Sequence, residues 1–340
     1  MVRAKGLTHG RGPCLADGVY LIEPVTTAAF ALRAAPEDLK LECGFDPDMV
    51  AVGPDVDDVW GAIGWSEADG VVSIRYWVAP ERRGRKLASA MLRAVAEPMF
   101  ASGARRLEAR PPVRDLASIR AAMRAGFRPD GVLRSGSPDG TDALSLGLLP
   151  GDGHGPAPRA LPDLPGGELT DGTVSLRPLR PDDAEAHLRH RTAPDVYQGA
   201  ALQLPPSVGE VAEVCEWRAA VDWLRGRSAF MVIDDGSGYR GTIGLYDVSR
   251  LVGTAMVGYD LSADARGKGY ATRAVVLVCR WAFDEVGVDR VWAGTDVHNA
   301  ASQAVLRRAG FRLEGIERGG LPSVDGTRRD TLLWARLSCD

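Results

Sequence analysis

The chain is predicted to fold as an α/β (α+β) protein built from two successive domains of one architecture. Three observations predict this. An alternating apolar stretch, Met256 to Leu261, runs into a glycine-bearing turn and then into a helical apolar pattern at Val275, Val278, Ala282 and Val286. The blocks of that half recur, in order, in the first half. A stretch rich in glycine and proline lies between them.

The repeat is legible block by block. Arg83-Gly84-Arg85-Lys86-Leu87-Ala88 matches Arg266-Gly267-Lys268-Gly269-Tyr270-Ala271, and Asp115-Leu116-Ala117-Ser118 matches Asn299-Ala300-Ala301-Ser302. Ala125-Gly126-Phe127-Arg128 returns unchanged at Ala309-Gly310-Phe311-Arg312, all at offsets of 183 or 184 residues. Gly61-Ala62-Ile63-Gly64 parallels Gly241-Thr242-Ile243-Gly244 at an offset of 180. Four blocks at a nearly constant offset read as a duplication. The divider, Leu149 to Gly167, carries glycines and prolines without periodicity and reads as a linker. The predicted layout is a flexible tail over 1–11, a first domain over 12–150, a linker over 151–169 and a second domain over 170–340.

In the second half, Thr173 to Leu179 reads as a strand, and Pro181-Asp182-Asp183-Ala184-Glu185 as a helix start with proline and acids in its first turn. The spacing of Val211, Val214, Trp217, Val221 and Leu224 predicts an amphipathic helix after Pro205-Pro206-Ser207. Phe230 to Ile233, a turn at Asp235-Gly236-Ser237-Gly238, and Gly241 to Val248 form a hairpin. The strand–turn–helix follows, then a strand over Arg290 to Thr295, a helix opened by Asn299, and a closing hairpin. In the first half the segment between Val19-Tyr20-Leu21-Ile22 and Trp60 is short, so the corresponding helices are expected to be reduced there.

Composition bounds the function. A hydrophobic content of 45% and a charged content of 25% are those of a globular protein, and 340 residues suffice for two cores. A net charge of −4 argues against a nucleic-acid partner. The longest apolar run, Ala274 to Phe283, is interrupted by Arg280, which argues against a membrane span. No apolar segment follows Arg3, Lys5 and Arg11, so a secretory signal is not expected. Cys14, Cys43, Cys215, Cys279 and Cys339 are scattered, which predicts a reducing cytoplasm and no metal site.

A strand feeding a glycine turn that opens a helix is suited to a phosphate. Glycine lets the backbone approach, and the unpaired N–H groups with the helix dipole favour the anion. With Asn299-Ala300-Ala301-Ser302 and Ala309-Gly310-Phe311 behind it, the turn resembles the acetyl-CoA-binding core of the GCN5-related N-acetyltransferases (GNATs). The second half, from Val174-Ser175-Leu176-Arg177-Pro178-Leu179 to Arg329-Asp330-Thr331-Leu332-Leu333-Trp334, resembles the Rim-type branch that acetylates N-terminal amines. The resemblance implies a central, mainly antiparallel sheet flanked by helices in each half, and acetyl-CoA as cosubstrate. It implies that Arg266, Gly267, Lys268, Gly269, Tyr270 and Ala271 cradle the pyrophosphate and that Tyr259, Asp260 and Leu261 line the pantetheine arm. Asn299 would bond the cofactor or a water, and Ser302 would protonate the leaving sulfur; both residue types also favour helix capping.

One departure concerns the base. Rim-type relatives often place a glutamate where this chain has Met256, so Asp296, Asp260 and His298 stand as replacement candidates, beside a reading in which the amine enters already neutral and water relays its proton. In the first half, Lys86 stands at the second glycine position and Asp115 at the asparagine position, so that domain is expected to be degenerate. The expected activity is N-acetylation of a primary amine by direct transfer in the second domain. The acceptor would be the N-terminal α-amine of a protein or peptide, including a ribosomally made peptide natural product. The alternatives are a small-molecule amine such as an antibiotic, or a CoA-binding scaffold without turnover. The assembly reads as monomer or homodimer.

Overall fold

The computed structural model describes residues 14–15, 19–22, 30–35, 44–53, 58–153, 155–197, 204–323 and 325–340, with side chains from residue 30 onward. The tail expected over 1–11 and the side chains of Cys14 and Cys43 lie outside the described residues. The chain divides into two compact units, Met1–Pro158 and Arg159–Asp340.

In the first unit, strands β1 (Cys14–Leu15), β2 (Val19–Ile22), β3 (Phe30–Ala34), β4 (Met49–Val52), β5 (Val59–Ala68) and β6 (Val71–Val78) precede helix α1 (Leu87–Ala101). Then come β7 (Arg106–Ala109), α2 (Leu116–Arg124), β8 (Arg128–Leu133) and β9 (Ala143–Leu148). The sheet order is β1-β2-β3-β4-β5-β6-β7-β9-β8, antiparallel except for the parallel pair β6·β7. Among the described residues no helix lies between β2 and β5, in keeping with the short segment there.

The second unit begins with β10 (Leu169–Thr170) and β11 (Ser175–Pro178), followed by helices α3 (Ala184–Arg191), α4 (Pro194–Tyr197), α5 (Val208–Glu213) and α6 (Ala219–Leu224). A π-helical turn at Val214–Arg218 joins α5 to α6. Next are β12 (Ser228–Asp234), β13 (Tyr239–Ser249), β14 (Thr254–Leu261), α7 (Tyr270–Trp281), β15 (Arg290–Asp296), α8 (Ala300–Arg308), β16 (Arg312–Pro322) and β17 (Arg328–Leu337). The order β10-β11-β12-β13-β14-β15-β17-β16 is antiparallel except at β14·β15. Each unit is thus a mainly antiparallel sheet flanked by helices, and the two follow one plan.

Period-two alternation decides the faces of the second sheet. Ile243, Leu245, Ala255, Val257 and Tyr259 face the core with Ala274, Val275 and Val278 of α7 and Leu306 of α8. The opposite face carries Thr242, Gly244 and Tyr246 of β13 against Asp260, Gly258 and Met256 of β14. Helix α3 covers part of that face, tied to the sheet by Asp183 at its start. The Arg177 guanidinium donates to both Asp183 oxygens at 2.8 and 2.9 Å, and both side chains are buried.

The segment expected as a linker, 151–169, is packed. Ala157 is buried against the first unit and its N–H donates to the Met123 carbonyl at 2.8 Å. Leu161 and Leu164 are buried in the second unit's core, where Trp223 Nε1 donates to the Pro162 carbonyl at 2.9 Å. Proline and glycine exclude helix and central strand here, but they do not stop the leucines between them from burying apolar surface.

Candidate active site

Strands β14 and β15 pair only over Thr254–Met256 and Arg290–Trp292. Beyond Met256, β14 keeps its β13 neighbour but has no β15 partner, and β15 pairs only with β17. The sheet therefore opens into a wedge whose apex is the pair Met256·Trp292. One side of the wedge is a free backbone edge over Val257–Leu261, about 16 Å long at the usual rise per residue. Such an edge offers alternate N–H and C=O groups to an extended ligand.

The edge leads into the glycine turn. Ala263–Ala265 form a single 3-10 turn, Arg266 is extended, and Gly267 and Gly269 take positive φ of 75° and 79°. A Cβ at either glycine would meet nothing within 4 Å, so the concavity is open, and the left-handed backbone is what demands glycine. Gly269 begins α7 without a side-chain cap, which leaves the first N–H groups of the helix directed outward. These features fit a diphosphate followed by an extended arm. The surrounding side chains are held back from the cradle: Arg266 bonds the Leu261 carbonyl at 3.1 and 3.2 Å and pairs with Asp195 at 2.5 Å. The Lys268 ammonium lies 5.9 Å from the Tyr270 ring, Tyr270 donates to Asp235 at 3.2 Å, and Ala271 is buried.

Tyr259, on the core face of the free edge, meets α8. Its hydroxyl lies 2.9 Å from Ser302 Oγ and donates to the Ser302 carbonyl at 3.2 Å. Burial pushes the phenol up to about 12, with the Ser302 hydrogen bond acting the other way. Asn299 is the N-cap of α8: its Oδ1 accepts from the Ser302 N–H at 3.0 Å. Tyr259, Ser302 and Asn299 thus form one group at the wedge.

The base candidates lie elsewhere. Asp260 points to the opposite face, where it accepts from His190 Nε2 at 2.7 Å, Thr242 Oγ1 at 2.6 Å, Thr242 N at 3.2 Å and Arg191 at 3.1 Å. Burial works to raise its carboxyl, but the His190 bond and charge, Thr242 and Arg191 outweigh it and hold the group below the usual range. A carboxylate so held is a weak proton acceptor. Asp296 is occupied by Arg329 at 2.6 Å and by the His298 N–H at 2.7 Å, and His298 itself is exposed. Along their strands the two aspartates stand four residues beyond the apex residues Met256 and Trp292. Burial brings the neighbouring His187 down to about 4, so it is neutral at pH 7, with Nδ1 2.9 Å from the Tyr239 hydroxyl. Cys215 and Cys279 are buried, and burial pushes their thiols up to about 11 and about 12, which makes them poor nucleophiles.

Sequence reasoning did not find His190, Arg191 and Thr242, which hold Asp260, nor Asp195 and Arg329. His190 is 70 residues from Asp260, and no local periodicity joins them. Only the pairing of β13 with β14 and the docking of α3 do so.

The first unit repeats much of this geometry. β6 and β7 pair only over Val71–Ile74, Gly84 has φ of 77°, and Lys86 takes φ of 60°, the left-handed conformation that Gly269 holds. The Tyr76 hydroxyl donates to the Ser118 carbonyl at 2.7 Å, and Asp115 caps α2 as Asn299 caps α8.

A profile of the "Acetyltransferase (GNAT) domain" matches residues 41–128 and 173–312. The "Probable N-acetyltransferase YjcK" of Bacillus subtilis is 39% identical over 101 residues, 29% of this chain and 55% of that protein, so the chain spans about half of its length. The "Putative ribosomal N-acetyltransferase YdaF" of the same organism is 29% identical over 174 residues, 48% of this chain and 91% of that protein. Among solved structures, Mycobacterium smegmatis RimJ in complex with CoA-disulfide aligns at 29% identity and a TM-score of 0.45, over 51% of this chain and 86% of that one. With both halves matched, the chain belongs to the acetyltransferase (GNAT) domain family, and by family it is an N-acetyltransferase that takes its acetyl group from acetyl-CoA.

Proposed function

We propose that the second unit acetylates the N-terminal α-amine of a protein or peptide. The observation that carries this reading is the apex of the wedge. A chain bound along the free edge from the glycine turn ends beside Met256, where the sheet floor is Tyr246, Met256 and Trp292 and holds no carboxylate. The amine nitrogen then attacks the thioester carbon; the C–N bond forms, the C–S bond breaks, and the thiolate takes a proton from the Tyr259–Ser302 pair. The proton released by the amine leaves through water and restores that pair. Without a base, an acceptor must reach the site already neutral. At pH 7 on the order of a tenth of α-amines are neutral, against roughly one in a few thousand lysine ammoniums. That difference favours the α-amine.

Backbone N–H groups over Arg266 to Ala271 would hold the pyrophosphate, and Tyr259, Asp260 and Leu261 the arm through their backbone. Asn299 keeps Ser302 in place, whereas Asp296 and Asp260 act as structural ion-pair members. The first unit is proposed to be degenerate, on Lys86 and Asp115, and the scattered thiols support a cytoplasmic location.

Calorimetric titration of acetyl-CoA into the full chain and into the Gly269→Glu and Gly84→Glu variants tests the assignment. One site, lost only with Gly269→Glu, is expected. Loss with Gly84→Glu, or two sites, would overturn the degenerate first unit, and no binding would overturn the enzymatic reading.

A further inference from the structure

Tyr246 is the last regular residue of β13 before a bulge, where the register with β14 shifts between Tyr246 and Ser249 and Asp247 takes φ of 48°. Bulges of this kind re-aim a side chain, often beside a site. The aim here is visible in what the ring covers. A Cβ added at Gly244 would lie 2.9 Å from the Tyr246 hydroxyl, and one at Gly258 would lie 3.3 Å from the ring. Two glycines, one on each strand, therefore make the trough in which the ring lies back along the sheet. Its hydroxyl heads toward the cluster of Asp260, His190 and Arg191, yet it has no hydrogen-bond partner among the described residues. Burial, first, and the Asp260 charge keep the phenol protonated.

Tyr246 sits directly across from Met256, and Met256 across from Trp292. All three are partly exposed, and the row they form crosses the sheet at the apex where the wedge begins. On the two strands that flank the wedge, Asp260 is bonded to His190 and Arg191 and Asp296 to Arg329, while Asp247, next to Tyr246 in the bulge, is exposed. The floor of this groove thus offers apolar and aromatic surface and a single uncommitted hydroxyl.

We infer that Tyr246 holds the acceptor: its oxygen accepts one N–H of the incoming α-amine, leaving the lone pair free for attack, while Met256, Trp292 and the tyrosine ring pack on an uncharged first side chain. This rests on the transfer reading above. It makes the chain selective for peptides whose first residue is uncharged, and it disfavours polyamines, which need carboxylates to pair with.

The experiment is steady-state acetylation of tripeptide amides starting with Ala, Ser, Phe or Asp, together with N-acetyl-lysinamide and spermidine. Wild type is compared with Tyr246→Phe and with Gly258→Ala, which keeps the hydroxyl but displaces the ring. Expected are a preference of about tenfold or more for the uncharged α-amines and a rise of about tenfold in acceptor KM in Tyr246→Phe, the worth of one hydrogen bond to substrate. Gly258→Ala should move the acceptor KM the same way. In Tyr246→Phe, acetyl-CoA affinity and thermal stability should stay within twofold and within a few degrees. An unchanged acceptor KM in Tyr246→Phe, or a preference for spermidine or the lysine amine, would overturn the inference while leaving the enzyme intact. Acetyl-CoA binding without transfer to any probe would overturn the transfer reading and this inference with it.

Discussion

Tyr259 is the residue on which the proposed chemistry turns. Its phenol is buried, titrates at about 12 and lies 2.9 Å from Ser302 Oγ, so it stays a proton donor throughout the working pH range. Removing it in Tyr259→Phe should lower kcat by about a hundredfold, typical for a lost acid, with acetyl-CoA affinity unchanged. The pH profile carries the same signature. Because the phenol is raised, the rate should climb between about pH 6 and 9 as the α-amine loses its proton, without a fall from Tyr259 ionisation in that window. A falling limb below pH 9 would assign the acid elsewhere. Met256 explains why no enzyme carboxylate is expected on the acidic side. Its identity was legible in the sequence; the engagement of Asp260 with His190 and Arg191 was not, because that engagement is made across 70 residues of chain.

At the scale of elements, the start of α8 decides where Ser302 stands. Asn299 Oδ1 satisfies the Ser302 N–H, and the first unit solves the same problem with Asp115 at 3.0 Å from the Ser118 N–H. Asn299→Ala should cost about 1 kcal/mol of stability, and Asn299→Asp should cost much less, because an aspartate caps as well and suits the positive end of the helix. Urea unfolding of the two variants checks this; equal losses would mean that the side chain does more than cap. Caps, glycine turns and apolar periodicities are local features, and so α7, α8, the hairpins and the wedge strands could be read in order from the chain. The π-helical turns at Val214–Arg218 and Ala282–Val286 could not, since such turns are rare and carry no marker in the local residue pattern.

At the scale of the whole molecule, the duplication is written in the sequence and returns as two sheets with one strand plan, each with a single parallel pair where its wedge opens. The segment between the halves shows the opposite. Leu161 is fully buried in the second core, so Leu161→Ala should destabilise that unit by about 2–5 kcal/mol, as a core truncation does. Hydrogen exchange of α7 and β12 amides would report the loss, and an unaltered exchange pattern would mean that Leu161 adds little to that core. By itself the sequence determined the family and the two-fold repeat, and it pointed to the glycine turn and to Met256, because each motif and each repeated block is a short run of adjacent residues. Only the tertiary structure decided that Asp260 and Asp296 are bound in ion pairs, that Leu161 belongs to a core, and that Tyr246 lies over two glycines at the apex. Those outcomes depend on strand register and on which face a helix covers, and a chain's composition carries neither.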